Sequence, residues 1–149
     1  MSDVEVDLPA ERSLVADASW AALRRSLEES GAAVFELDFG PIADGRSFLE
    51  RAATELPAEP SGPFRKWAAL SDALWAGLAP QAGHTVVWGW RHVDRLLDGG
   101  LATLLQALDI AGDLQRTALD ADVGGLDEPV QLFVVLTGDG PNFPTEPVG

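Results

Sequence analysis

The sequence predicts an α/β fold in which a three-stranded parallel sheet is flanked by helices. Three short runs, at 32–39, 84–90 and 130–137, have the β-branched and aromatic content of strands. The last two runs are apolar at almost every position, as expected of strands that are buried on both faces of a parallel sheet. Apolar residues at helical spacing occupy the stretches between the runs. This alternation is typical of parallel strands joined by right-handed helical crossovers.

An extra amphipathic helix over 18–30 precedes the first predicted strand. Charged residues alternate with its apolar stripe, and Gly31 supplies a stop signal. We therefore expect residues 1–31 to form an N-terminal extension with one helix, followed by a domain over 32–138. The apolar stripe consists of Trp20, Leu23 and Leu27.

Two helices are predicted between the first and second strands. Apolar spacing indicates one helix over 44–56 and a shorter one over 64–78. The sequence PAEPSGP at 57–63 separates them and is expected to be a loop, because it contains three prolines.

The second and third strands are connected by a leucine-rich stripe, which the Gly99-Gly100 pair divides into two predicted helices. An acidic, glycine-rich loop is expected at 119–129, just before the last strand. The tail at 139–149 contains three prolines and is expected to be disordered.

Composition excludes several classes of function. The 149 residues include no cysteine, so disulfides, thiolate nucleophiles, zinc fingers and iron-sulfur clusters are excluded. No apolar stretch is long enough to span a membrane and the N-terminus is acidic, so we expect a cytoplasmic protein. Ten basic and 24 acidic residues give a net charge of -14, which repels nucleic acids and anionic membranes and favours a cationic partner.

The sequence contains no convincing catalytic or metal-binding motif. His84 and His92 are eight residues apart, which is not a spacing typical of metal ligands, and exposed or capping roles are expected for them. A calcium-loop-like start at Asp120 fails at Gly124 and Gln131, where oxygen ligands are required. Phosphate-binding loops are also absent from the sequence. We therefore expect a protein that is not an enzyme and that needs no metal or cofactor.

The predicted helix over 64–78 combines an apolar stripe with an acidic residue and two tryptophans. Leu70, Leu74 and Leu78 supply a buried stripe at i, i+4 and i+8. Trp67 and Asp72 should then lie away from the centre of that stripe.

Three segments in succession resemble the barstar family of intracellular ribonuclease inhibitors. They are KWAALSDALWAGL, HTVVWGWRHVDRLLDGG and VQLFVVLTG, and the resemblance extends over about 33–138. The resemblance implies a three-stranded parallel sheet flanked by helices, with an inhibitory surface formed by the short second helix and the loop at 57–63. It also implies that acidic side chains of this helix enter the nuclease active site, where they pair with the cationic groups that would hold the RNA phosphate.

The helix can be aligned with the family in two registers. In one, Asp72 takes the place of the first interface acid and Ala76 replaces the second. In the other, Asp72 takes the place of the second, more important acid and Ala68 replaces the first. The second register is preferred because it has the closer spacing from the preceding helix and places Trp67 at the family's aromatic position. Each register lacks one family carboxylate, and the tyrosines usual in the loop are absent.

The resemblance implies that the chain is an inhibitor or immunity protein, monomeric when free, whose partner is a basic nuclease or nuclease toxin domain. Two alternatives remain: a non-inhibitory interaction module that uses the helix over 18–30, and an enzyme, which would be marked by a deep pocket with a shifted carboxylate or histidine. The partner-binding residues implied for the inhibitor are Asp72, Trp67, Ala68, Ser71, Trp75, Phe64 and Asp109.

Overall fold

The computed structural model describes residues 12–120 and 128–145 and confirms an α/β fold with a parallel sheet flanked by helices. The sheet has four strands in the order β1-β4-β3-β2, and every neighbouring pair is parallel. The strands are β1 (Arg12–Ala16), β2 (Ala33–Asp38), β3 (Thr85–Arg91) and β4 (Gln131–Gly138). The α-helices of the described part are α1 (Asp17–Glu29), α2 (Gly45–Glu55), α3 (Trp67–Leu78) and α4 (Leu101–Leu119).

Strand β1 corrects the prediction of a three-stranded sheet. It pairs with β4 from Arg12 opposite Val134 to Ala16 opposite Gly138, and the side chain of Val15 is fully buried. The sequence RSLVA is short and carries an arginine and a serine, so it lacks the continuous apolar pattern of β3 and β4. Residues 12–31 therefore contribute both an edge strand of the sheet and a helix that packs on it.

The strand order explains why the sheet is buried on both faces. The crossover through α1 carries the chain from the β1 edge to the β2 edge, and the later crossovers step back through β3 to β4. Right-handed crossovers in opposite directions place α1 on one face and α2, α3 and α4 on the other. Two buried clusters agree with this arrangement: Trp20 packs with Val87 and Phe133, while Leu70 shares a cluster with Trp88.

A segment without regular structure connects α2 to α3 and runs back along α2. The N–H of Gly62 donates to the carbonyl of Ala53 (3.2 Å), and the N–H of Phe64 donates to that of Leu49 (3.0 Å). This return brings the chain back to the beginning of α2 before α3 starts, so the two helices lie side by side. Helix α3 begins at Trp67, three residues later than predicted, because 64–66 belong to the returning segment.

The connection from β3 to β4 agrees in outline with the prediction of two helices separated by glycines. A short 3-10 helix over Val93–Leu96 comes first, and α4 begins after Gly100. A second 3-10 helix, Ala79–Gln81, follows α3. Most of the loop predicted at 119–129 lies outside the described residues.

The start of the C-terminal tail is packed, where disorder was predicted. Phe143 is buried beside Gly138, and the N–H of Ala16 donates to the carbonyl of Pro144 (2.7 Å). A single buried aromatic ring and one backbone hydrogen bond thus hold 139–145 over the carboxyl ends of β1 and β4. Residues 146–149 lie outside the described part.

Candidate functional site

The outward face of α3 carries the predicted central acid. Leu70, Leu74 and Leu78 are buried, which confirms the predicted stripe, and Asp72 is exposed on the other side of the helix. Within 12–120 and 128–145, Asp72 makes no hydrogen bond or ion pair. Its neighbours three and four positions away on the helix surface are Ala68, Ala69, Trp75 and Ala76.

Four of the remaining predicted residues lie along or just before α3 and are half-buried. The ring of Trp67 stacks on that of Phe48, with 5.3 Å between the ring centroids and an interplanar angle of 18°. Phe64, Trp67 and Trp75 pack against the edge of the larger buried cluster. Ser71 is also half-buried, whereas Ala68 is exposed. The structure therefore places Phe64, Trp67, Ala68, Ser71, Asp72 and Trp75 on one helix and the segment that leads into it.

No hydrogen bond or ion pair among the described residues joins Asp109 to this group. It is exposed on α4, whose buried side faces the sheet through Leu104 and Ala107. The first turn of α4 lies near the start of α2, where a Cβ atom at Gly45 would be 3.9 Å from Oγ1 of Thr103. Asp109 is six residues further along α4, about 9 Å away along the helix axis.

A groove of about 930 Å³ lies between the first turns of α2 and the segment that leads into α3. Phe64 and Trp67 form part of its wall. Its rim is basic, because Arg46 and Arg65 line it beside a single carboxylate, Glu50. The sequence-based site did not include these arginines. The adjacent Arg65-Lys66 pair could have indicated a basic surface here, because the chain has only ten basic residues.

A second polar cluster lies at the carboxyl ends of the strands. His92 has a left-handed backbone (φ 63°), and its Nδ1 lies 2.8 Å from Oδ1 of Asp38. Its Nε2 lies 3.8 Å from Oδ2 of Asp17, whose other oxygen accepts a hydrogen bond from Thr137. Burial tends to raise the pKa of Asp38, but hydrogen bonds from Gly40 and His92 outweigh it and lower that pKa. No local sequence pattern indicates this cluster, because it depends on how β2 and β3 align.

The carboxyl edge of a parallel sheet is the usual place for a small ligand in α/β proteins. In this protein Phe143 and Pro144 lie over part of that edge. No group of three or more His, Cys, Asp or Glu residues in the described ranges could hold a metal ion. Among the same residues, no helix is long and apolar enough to cross a membrane.

Comparisons with known proteins add no relative to this description. No protein-family model matches the chain. Searches of curated proteins and of solved structures likewise find no match. The resemblance to the barstar family therefore depends on the three sequence segments quoted above.

Proposed function

We propose that this protein binds a basic partner through the exposed face of α3 around Asp72, and that the partner is a nuclease which the chain inhibits. The observation that carries the proposal is the position of Asp72. It is an exposed carboxylate, without a partner among the described residues, in the middle of an otherwise apolar helix face.

The composition of α3 favours an interface over a solvated surface. Apart from Ser71 and Asp72, the helix contains only apolar residues and glycine, and Ala68 and Ala69 are exposed. A helix that is apolar on all sides is normally covered on all sides. The small alanine side chains also let a partner approach closely, which would bring Asp72 into a partly dehydrated contact.

A carboxylate in such a contact suits a cationic site. It accepts paired hydrogen bonds from an arginine, and these bonds are stronger once water is excluded. The net charge of -14 would speed the encounter with a basic protein. The active site of a ribonuclease has this chemistry, because it must bind the RNA phosphate. We further propose that the protein acts inside the cell, as the resemblance implies.

A second candidate function is a non-inhibitory interaction module that uses α1. A shallow groove of about 400 Å³ runs beside this helix, and both apolar and polar residues line it: Val15, Ala18, Ser19, Ala22, Leu23, Ser26 and Thr145. This groove lies on the opposite face of the sheet from α3, so variants can test the two surfaces separately.

The test compares Asp72→Asn with Asp98→Asn, which removes a second exposed carboxylate that has no partner among the described residues. Basic proteins captured from host lysate and secreted fractions would be assayed for RNA cleavage and for its inhibition. We expect Asp72→Asn to weaken inhibition by about 30-fold or more, as for the loss of one member of a buried interfacial charge pair. Asp98→Asn should change inhibition less than about twofold.

Added salt should weaken the complex formed by the wild type. Capture of a nuclease that both variants inhibit as well as the wild type would contradict the role of Asp72. A partner that is lost with Leu23→Lys but kept with Asp72→Asn would favour the α1 module instead.

A further inference from the structure

We infer that the groove between α2 and the segment at 63–67 binds an aromatic side chain that lies next to a carboxylate on a partner protein. The groove differs from the Asp72 surface in shape and has the opposite charge. This inference therefore stands whether or not the partner of Asp72 is a nuclease.

The walls of the groove suit a flat apolar group. Leu49, Pro63, Phe64 and Trp67 supply its apolar surface. Phe48 stacks against Trp67 and holds the indole in place. An aromatic occupant would gain from both the apolar area and the favourable geometry of ring pairs.

A glycine keeps the groove open beside the indole. A Cβ atom at Gly45 would lie 3.3 Å from Cζ2 of Trp67, closer than ordinary contacts between side chains. Because Gly45 has no side chain, this edge of the indole remains accessible from the groove.

The charges on the rim of the groove favour an occupant with a negative charge. Arg65 and Lys66 are exposed, and neither forms an ion pair within the described ranges. Arg46 forms an ion pair with Glu50 (3.1 Å), but its side chain is 85% exposed and its other N–H groups remain accessible. Two cations, Arg46 and Arg65, thus line the groove beside one carboxylate, Glu50, on a protein whose net charge is -14. Lys66 is the next residue after Arg65 and adds a third positive charge to this segment.

The start of α3 adds to this local positive potential. Lys66 precedes the helix and makes no capping hydrogen bond through its side chain. The first N–H groups of α3 therefore have no side-chain acceptor at this position, and they form the positive end of the helix dipole. A carboxylate beside the aromatic ring would be attracted here, whereas a cation would be repelled.

Three small indole compounds that differ in charge separate the effect of the ring from that of the charge. They are indole-3-acetate, 3-methylindole and tryptamine. Each would be titrated into the full chain and followed by two-dimensional NMR of the backbone amides and tryptophan indoles. We expect the largest shifts at 64–67 and at the indole of Trp67. Indole-3-acetate should bind about two- to fivefold more tightly than 3-methylindole, and tryptamine should bind most weakly.

Charge reversal provides the decisive variant. The double change Arg65→Glu and Lys66→Glu should reverse the order of indole-3-acetate and tryptamine, whereas Arg25→Glu, an exposed change on α1, should leave the order as in the wild type. Thermal unfolding would check that all three proteins are folded. The inference is overturned if the shifts lie outside the groove, if tryptamine binds the wild type best, or if the double variant keeps the wild-type order.

Discussion

At the scale of single residues, Gly77 sets the distance between α3 and the segment that precedes it. A Cβ atom at this position would lie 2.1 Å from the carbonyl oxygen of Pro57 and 2.5 Å from its carbonyl carbon. Both are backbone atoms, so neither can move aside by a change of rotamer. The close contact holds the returning segment against the helix that carries Asp72.

The change Gly77→Ala should therefore be destabilising. We expect the free energy of unfolding, measured by urea denaturation, to fall by about 1–3 kcal/mol, the usual cost of overpacking. Gly99→Ala is the matched control, because a Cβ atom at Gly99 would have no neighbour within 4 Å. The control should lie within about 1 kcal/mol of the wild type. Equal stability of the two variants would show that α3 and the segment can separate freely.

At the scale of elements, β1 is the part of the sheet whose contribution most needs a test. It is an edge strand of five residues, and within 12–120 and 128–145 it pairs only with β4. Its fully buried Val15 belongs to the cluster formed with Trp20 and Val135 under α1. The strand therefore links the N-terminal part of the chain to the core.

We expect Val15→Ala to lower the free energy of unfolding by about 1–3 kcal/mol, because a buried side chain loses two methyl groups and leaves a cavity. Leu119→Ala provides a comparison on an exposed apolar residue and should cost less than about 0.5 kcal/mol. Chemical denaturation followed by tryptophan fluorescence would measure both. A loss at Val15 no larger than that at Leu119 would mean that β1 does not unfold together with the sheet.

The elements also show where prediction from sequence reaches its limit. β3 and β4 were predictable because a strand buried on both faces must be apolar at successive positions, and α3 because of the spacing of its three leucines. β1 has no such local pattern, since the edge of β4 provides its hydrogen-bond partners. Phe143 likewise becomes part of the core only through the position of the sheet edge.

The candidate site also contains both features that the sequence predicts and features that depend on the tertiary structure. The exposure of Asp72 follows from the helix period alone. The groove does not, because Arg46 and Arg65 meet across it only when the segment after α2 folds back. The pairing of His92 with Asp38 needs the alignment of two strands whose residues are 54 positions apart in the sequence.

At the scale of the whole molecule, which has a net charge of -14, Glu36 is a carboxylate that connects a helix to the sheet. Glu36 projects from β2 and accepts a hydrogen bond from Arg24 of α1. Nη1 of Arg91 lies 3.5 Å from Oε1 of Glu36. Burial alone would raise the pKa of Glu36. The hydrogen bond from Arg24 and the positive charges of the two arginines outweigh that effect and lower the pKa.

The lowered pKa of Glu36 determines the direction in which the stability of the fold depends on pH. The unfolded chain has an ordinary glutamate pKa of about 4.3, so the pairing of Glu36 stabilises the fold fully above that value and is lost as pH falls through the lower folded pKa. We expect Glu36→Gln to be about 1 kcal/mol less stable than the wild type at neutral pH, on the scale of a charge-assisted hydrogen bond that is partly exposed. That difference should shrink towards zero as the wild-type carboxylate becomes protonated. Because relief of the overall negative charge affects both proteins similarly, the difference between their urea unfolding curves isolates Glu36.

Glu50→Gln removes an exposed ion pair with Arg46 and should differ from the wild type by less than about 0.5 kcal/mol at every pH. A Glu36→Gln difference that is the same in acid as at neutral pH would mean that the link between α1 and β2 does not depend on this charge.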